Sequence, residues 1–454
     1  MSLLQDLEAA LGASAVAADV DVLRSYQHDR ALLAPSQPPA VAVFPTTTDD
    51  VVSVVDVARR HRMPIVTRGA GTGLAGGANA VAGSIVLSTQ RMRRILEVDE
   101  RDRIARVQPG VLNAELAQAA AAAGLWYPPD PSSYAISTIG GNVATNAGGL
   151  CCVKYGVTRE AVLGLEVVLA DGTVTRVGRR TVKGVAGYDL VGLFVGSEGT
   201  LGVVTEVTVR LRPARPALQT LVATFAEMAD AGAAIRAITS KTAPTMLEVL
   251  DRTTIAAVEA RLHMGLEDVG ALLVCQSDLL GERADDELVP IERDCRTAGA
   301  TYVARSTDPT EAEQLVLARR EVYPALEAMG RTLLDDVCVP TSKIPALVLA
   351  VERVAADVGL TIGTFGHAGD GNMHPTVVFD RGEEQRAQQA FDAIVAAALE
   401  LGGTATGEHG IGNLKRDWLN RELDAGARWL HQRIRAALDP DGRFNPGKLI
   451  AAEE

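Results

Sequence analysis

Two short stretches of this chain gather the residues best suited to chemistry. His367-Ala368-Gly369-Asp370-Gly371-Asn372-Met373-His374 sets two histidines among glycines, and Gly407-Glu408-His409-Gly410-Ile411-Gly412 adds a third histidine beside a glutamate. Only seven histidines occur in 454 residues, so three of them here form a concentration that turn chemistry does not require. Imidazole and carboxylate are the donors that a borderline divalent ion such as Zn²⁺ accepts. The plain alternative is a glycine-rich turn with hydrogen-bonded histidines. In that reading Glu408 caps a helix, and Asp370 suits shaping the turn better than ligation.

Glycine marks a second chemistry. The run Arg68-Gly69-Ala70-Gly71-Thr72-Gly73-Leu74-Ala75-Gly76-Gly77-Ala78 follows an expected strand. Successive small residues let backbone N–H groups converge on an anion. Its GxGxxG spelling suggests a dinucleotide site, but such a site needs a helix N-terminus for the pyrophosphate. The next residues, Gly77-Ala78-Asn79-Ala80-Val81-Ala82-Gly83, do not read as a helix, so a nicotinamide cofactor is not expected. A second loop spans 128–149, with Gly140-Gly141-Asn142, Asn146 and Gly148-Gly149, and a third is Gly196-Ser197-Glu198-Gly199-Thr200-Leu201-Gly202. Each alone could be turn chemistry. Three in one half of the chain point to one long phosphate-bearing ligand wrapped by backbone amides.

These loops need elements to hold them. Residues 41–44 read as a strand, Thr47-Thr48-Asp49-Asp50 as a capping box opening an amphipathic helix to about His61, and 64–67 as a second strand. Strand patterns recur at 85–88, 95–98 and 104–107, and the alanine-rich run 112–123 reads as a helix stopped by Gly124. Residues 162–170 and 173–177 form a hairpin across Asp171-Gly172, and 203–211 closes this half. Pro213 and Pro216 mark a boundary near 215. In the second half, strands are expected at 218–225, 246–250, 271–276, 301–305, 360–365 and 373–379. A helix is expected at 226–240, and helical patterns lie between several of the strands. The fold class is α+β, an antiparallel sheet with helices on one face. Residues 383–401 and 416–438 read as long helices, and 443–450 as an extended anchor.

Composition narrows the partners. A formal net charge of −13 repels nucleic acid and anionic lipid, and an aromatic share of 4% leaves little for base stacking. A local arginine can still bind an anionic substrate, because the global charge is screened. Cys151 and Cys152 are adjacent while Cys275, Cys295 and Cys338 are scattered, a set that reads as reduced thiols. The first residues carry no basic segment ahead of an apolar run, so neither a secretory signal nor a membrane span is expected. The cytoplasm is the expected location, with peripheral membrane association through an electron-accepting partner compatible.

Ten ordered motifs carry a resemblance over nearly the whole chain: RGAGTGLAGGA, PPDPSS, STIGGNVATNAGG, KYG, GYDL, GSEGTLG, DVCVP, HAGDGNMHP, GEHGIG and FNPGK. The chain resembles the FAD-linked oxidoreductases of the vanillyl-alcohol oxidase / p-cresol methylhydroxylase fold, in their D-lactate and glycolate dehydrogenase branch, related to D-2-hydroxyglutarate dehydrogenases. The resemblance implies an FAD-binding domain over 1–215, a substrate and metal domain over 216–415, and a tail over 416–454 returning to the FAD domain. It implies FAD contacts at Arg68, Gly69, Ala70, Gly71, Thr72 and Gly73, at Pro131, Ser132, Ser133, Thr138, Gly141, Asn142, Asn146 and Gly148, and at Tyr155, Glu198, Val203, Val204 and Asn445. Some relatives tether FAD through a histidine in the first loop. Thr72 stands there, so FAD is expected to be non-covalent.

The resemblance also assigns the metal ligands to His367, His374 and Glu408, the catalytic base to His409 and the substrate-carboxylate cation to Arg319. Zn²⁺ is the first choice of ion, and Mn²⁺ or Fe²⁺ suits the same donors. The implied reaction is oxidation of a D-2-hydroxy acid, D-lactate first, to the 2-oxo acid. Electrons would leave to a non-nicotinamide acceptor such as a quinone, a cytochrome, an electron-transfer flavoprotein or an iron–sulfur partner. The alternatives are the flavoprotein subunit of a glycolate-oxidising complex, a direct O₂ oxidase, a D-2-hydroxyglutarate dehydrogenase and a non-catalytic flavin-binding module. Leu334, Thr376 and Tyr323 replace a lysine, an asparagine and a threonine of the 2-hydroxyglutarate enzymes, which favours a monocarboxylate. A homodimer is compatible with all of these.

Overall fold

Alternating apolar patterns resolve into two units. The computed structural model describes residues 2–450. One unit takes the chain up to 149, 156–214 and the stretch from 408 on, and the other takes 150–155 and 215–407. The last division therefore falls at 407/408 rather than 415/416, so Glu408 and His409 open the final stretch of the first unit.

The first unit holds two main sheets. In one, strands Val41–Val43 and Ile65–Arg68 both pair in parallel with Ile85–Ser88, while Val16–Ala17 pairs antiparallel with Val41–Val43. Helix Thr48–His61 starts as the sequence suggests: the Thr47 hydroxyl accepts from the Asp50 N–H at 3.1 Å and Asp50 reaches back to the Thr47 N–H at 3.0 Å. It buries Val51, Val54, Val55 and Ala58 against Val41, Val43, Ile85 and Leu87. The other sheet is antiparallel, in the order Ile95–Asp99, Ile104–Val107, Val203–Arg210, Val162–Val168, Val174–Gly178. Strand Val203–Arg210 alternates buried and half-buried positions, the period of two that one packed face imposes.

The second unit is built on an eight-stranded antiparallel sheet. Its centre runs Gln219–Phe225, Ala271–Ser277, Met246–Asp251, Thr361–His367, Asn372–Phe379. Helices Arg252–Leu262 and Pro309–Glu327 place Ile255, Val258, Val322 and Leu326 against Val222, Leu250, Val274 and Phe365. The opposite side chains of the same strands, Leu221, Ala223, Val249 and Leu273, are equally buried, so the expectation of helices on one face is corrected. Helices Met228–Thr239 and Glu282–Thr297 also lie on these strands without joining that cluster.

Two more expectations change. The single helix over 416–438 is two, Arg416–Glu422 and Ala425–Leu438. Leu423 is extended, and the Asp424 carboxylate accepts from the Ala427 N–H at 2.7 Å, which starts a new helix. The loop over 128–149 contains helix Ile139–Thr145, capped by Thr138, whose hydroxyl accepts from the Gly141 N–H at 3.2 Å. Gly140 and Gly141 lower helix propensity and hid it from the sequence pattern. The tail is anchored as expected: Phe444 bridges Ile65, and Arg435 donates to the carbonyls of Phe444, Asn445, Lys448 and Ile450. Only Phe444 is strand-like; the residues after it are bends and a turn rather than an extended segment. Among the described residues no helix is long and apolar enough to cross a membrane.

Candidate active site

The second unit brings three sequence-predicted residues to one face of its sheet. Strand register decides this. Glu248 stands opposite His367, which stands opposite Asn372; one step along, Leu250 stands opposite Phe365, which stands opposite His374. Alternate residues share a face, so Glu248, Phe365, His367 and His374 lie on the face that carries Leu250. The two imidazoles meet edge to face with ring centres 5.1 Å apart. Helix Pro309–Glu327 covers this face and lays Arg319 over the Phe365 ring at 4.9 Å.

Glu248 ties the group together. It is wholly buried, 2.6 Å from His367 Nδ1 through one oxygen, and it accepts from Arg319 Nε at 2.5 Å through the other. Burial pushes its carboxyl up, but His367 and Arg319 outweigh burial and hold it below the usual range. His367 Nδ1 is the ring nitrogen set against this carboxylate, and donation from it would make Nε2 the nitrogen suited to a metal. Behind His374 lies a second buried carboxylate, Asp336, with Oδ1 3.7 Å from His374 Nδ1. Its Oδ2 accepts from Thr406 Oγ1 at 2.6 Å and from the Gly407 N–H at 3.0 Å. Asp370 shapes the turn, accepting from the Asn372 N–H at 3.1 Å. The donor chemistry of two buried imidazoles fits a divalent ion.

In the first unit, Glu408 and His409 sit on a loop held from below. His409 Nε2 is 3.9 Å from Glu408 Oε1. Glu198 is buried and accepts from the Ile411 and Gly412 N–H groups, each at 2.7 Å. Gly410 has φ +88°, and a Cβ there would stand 3.0 Å from Glu198 Oε1, so glycine is needed at that point. Asn445 Nδ2 donates to the carbonyls of Gly77 at 2.8 Å and Glu198 at 2.6 Å, joining the first glycine loop to this clamp. Burial raises the Glu198 carboxyl to about 7 against its two N–H donors, and lowers Lys448, which donates to the Asn79 carbonyl, to about 8.

The remaining expected FAD positions divide clearly. A Cβ on Gly69 would meet Thr138 Oγ1 at 2.3 Å, so the first loop packs on the start of helix Ile139–Thr145. Arg68 Nη1, Ser137 Oγ and Asn142 Nδ2 are buried and make no hydrogen bond among the described residues. Burial pushes the Arg68 guanidinium below its ordinary value, opposed by Asp29 and Tyr26. A buried cation, two orphaned polar atoms and a cradle of small residues fit an elongated anionic cofactor. Ala70, Gly71, Thr72 and Gly73 continue the first loop; Ser132 is exposed, Ser133 half-buried, and Pro131 and Gly148 are buried in the second. Asn146, at φ +55°, accepts from the Arg159 N–H at 2.9 Å. Val203 belongs to the core, so only its backbone could touch a ligand, whereas Val204 is half-buried. Tyr155 lies in the second unit and donates to Asp278.

Two known families match successive parts of the chain. The family "FAD binding domain" matches residues 39–178, and "FAD linked oxidases, C-terminal domain" matches 215–449. The chain belongs to the FAD-linked oxidases. Like them it is an oxidoreductase built to bind FAD, and the cradle around Gly69 and Thr138 is where its residues suit that cofactor. Among FAD-linked oxidases it is 42% identical to the glycolate oxidase subunit GlcD of Bacillus subtilis, over 94% of this chain and 92% of that one. It is 33% identical to the D-lactate dehydrogenase of Anaerostipes hadrus, over 94% and 93%. A solved structure of p-cresol methylhydroxylase with substrate bound shares the fold, with a TM-score of 0.83 at 20% identity over 99% of this chain and 96% of that one.

Two buried carboxylates escaped the sequence reading. Asp336 opens the DVCVP motif and could have been suspected there. Glu248 lies in MLEVLD, a plain strand sequence with no signal beyond one charge in an apolar run.

Proposed function

We propose that this FAD-linked oxidase oxidises a short D-2-hydroxy acid, D-lactate first, to the 2-oxo acid with the help of a divalent metal. The observation that carries the reading is the pair of buried sheet histidines backed by Glu248, with Arg319 on the same carboxylate. His367 through Nε2, His374 and Glu408 would hold the ion, whose contribution when bound is to lower the pKa of the substrate hydroxyl. FAD, when bound, supplies the two-electron acceptor for the Cα hydride. Arg319 binds the substrate carboxylate through its terminal nitrogens, since Nε is taken by Glu248. His409 accepts the hydroxyl proton, so the substrate loses one proton and one hydride and leaves as the 2-oxo acid.

Three positions favour a monocarboxylate. Leu334 faces Thr376 across paired strands, the Thr376 hydroxyl donates to the His374 carbonyl at 3.3 Å, and the Tyr323 hydroxyl bonds Thr332 at 3.1 Å. None offers a cation for a second carboxylate. Glycolate is the second reading, favoured by the 42% and 38% identity to glycolate oxidase subunits against 33% to 35% for D-lactate dehydrogenases. The reduced cofactor would pass its electrons to a non-nicotinamide acceptor. Anaerobic visible spectroscopy of the purified protein tests the reading. D-lactate should bleach the flavin bands and L-lactate should not; bleaching by glycolate alone supports the second reading, and flavin indifferent to every 2-hydroxy acid removes both.

A further inference from the structure

We infer that Glu248 is the positioning residue that couples metal binding to substrate binding: one oxygen holds His367 with Nε2 turned to the ion, and the other holds Arg319 with its terminal nitrogens facing the substrate carboxylate. This rests on the function proposed above. Four observations carry it. Glu248 has no exposed surface, so its charge is sustained only by partners. Its two oxygens are divided, 2.6 Å to His367 Nδ1 and 2.5 Å to Arg319 Nε, rather than both taken by the arginine as in an ordinary bidentate pair. The strand register sets it directly across from His367, so the contact is built into the sheet. Phe365 lies against one face of the Arg319 guanidinium at 4.9 Å and fixes its plane.

The charges give the arrangement its purpose. Glu248 cancels Arg319, so the arginine does not repel a nearby cation, while its contact with His367 Nδ1 fixes the orientation of the ring. A carboxylate behind a metal-binding imidazole raises its basicity and fixes its tautomer, and losing such a group typically weakens the metal by about 10–100-fold. A structural ion pair alone predicts no change in metal affinity once the protein is folded.

Equilibrium dialysis of the flavin-loaded wild type and Glu248→Gln against Mn²⁺ and Zn²⁺ is the test, with flavin content and melting midpoint measured alongside. The expected result is metal affinity about 10–100-fold weaker in E248Q, flavin retained, and, with Mn²⁺ saturating, a raised half-saturating D-lactate concentration. Equal metal affinity in the two proteins overturns the role of Glu248 and leaves the proposed function standing. A wild type that binds neither ion overturns both. Should E248Q not fold, ¹⁵N-histidine NMR of the metal-free wild type decides: a downfield Nδ1 proton assigned to His367 through His367→Gln supports the inference, and an unprotonated Nδ1 sinks it.

Discussion

Glu198→Gln should change the stability of this FAD-linked oxidase in a pH-dependent way whose sign follows from burial. Glu198 is buried, and burial pushes its carboxyl up from an ordinary 4.5 to about 7. At ~1.4 kcal/mol per unit, that rise corresponds to roughly 3 kcal/mol against the ionised form. An unfolded chain releases this proton near 4.5 and the folded chain near 7. Between those values the folded state binds more protons, so its stability falls as pH rises. Glutamine does not titrate. Its amide also loses one acceptor for the Ile411 and Gly412 N–H pair, a cost of about 1–3 kcal/mol that varies little with pH. E198Q should therefore start below the wild type at pH 5 and gain roughly 2–3 kcal/mol on it by pH 8. At about 1–2 °C per kcal/mol for a chain of this size, the difference between melting midpoints should move by roughly 2–6 °C. Lys448, lowered to about 8 nearby, is present in both proteins and largely cancels in the difference. Thermal melts of both at pH 5, 6, 7 and 8 measure it. A difference that stays flat removes the burial argument, and one that moves the other way means the two N–H donors hold Glu198 as an anion.

Two further variants address the chemistry. His409→Ala should keep flavin and metal while substrate-driven flavin reduction, followed by stopped flow, falls about 10²–10⁴-fold, the usual worth of a general base; near-normal reduction would move the base elsewhere. His374→Ala should lose metal and turnover together while the flavin spectrum is unchanged, with elemental analysis as the check; full metal content would break the ligand set.

Much of the fold was legible because its signals are local. The Thr47–Asp50 capping box, the Asp171-Gly172 turn and the alternation along Val203–Arg210 each follow from neighbouring residues. The failures were local conflicts that tertiary structure settles. Helix Ile139–Thr145 forms despite two glycines because Thr138 caps it and its start packs on Gly69. The break at Leu423–Asp424 needed the weight of one N-cap in an otherwise continuous helical pattern. The histidines were visible for a similar reason, since a turn of four residues joins His367 to the strand bearing His374. Glu198 is one of the FAD contacts that the resemblance implies, and no motif announces that its carboxylate also grips the backbone just after His409.

Glu248 marks the boundary of what spacing can tell. It lies 119 positions from His367 and 71 from Arg319, so no motif contains any two of them. Only the antiparallel register brings it opposite His367, and a slip of one residue would put Leu247 or Val249 there and turn Glu248 to the other face. Met246 and Leu250 join Leu272, Val274 and Phe365 in one core cluster while Leu247 and Val249 are buried on the opposite face, so what distinguishes this register is the buried charge of Glu248, which a slip would carry away from His367 and Arg319. The pairing of these strands therefore sets the proposed metal and substrate contacts as firmly as the motif residues do. A core substitution that loosens this pairing should weaken metal binding without touching any ligand.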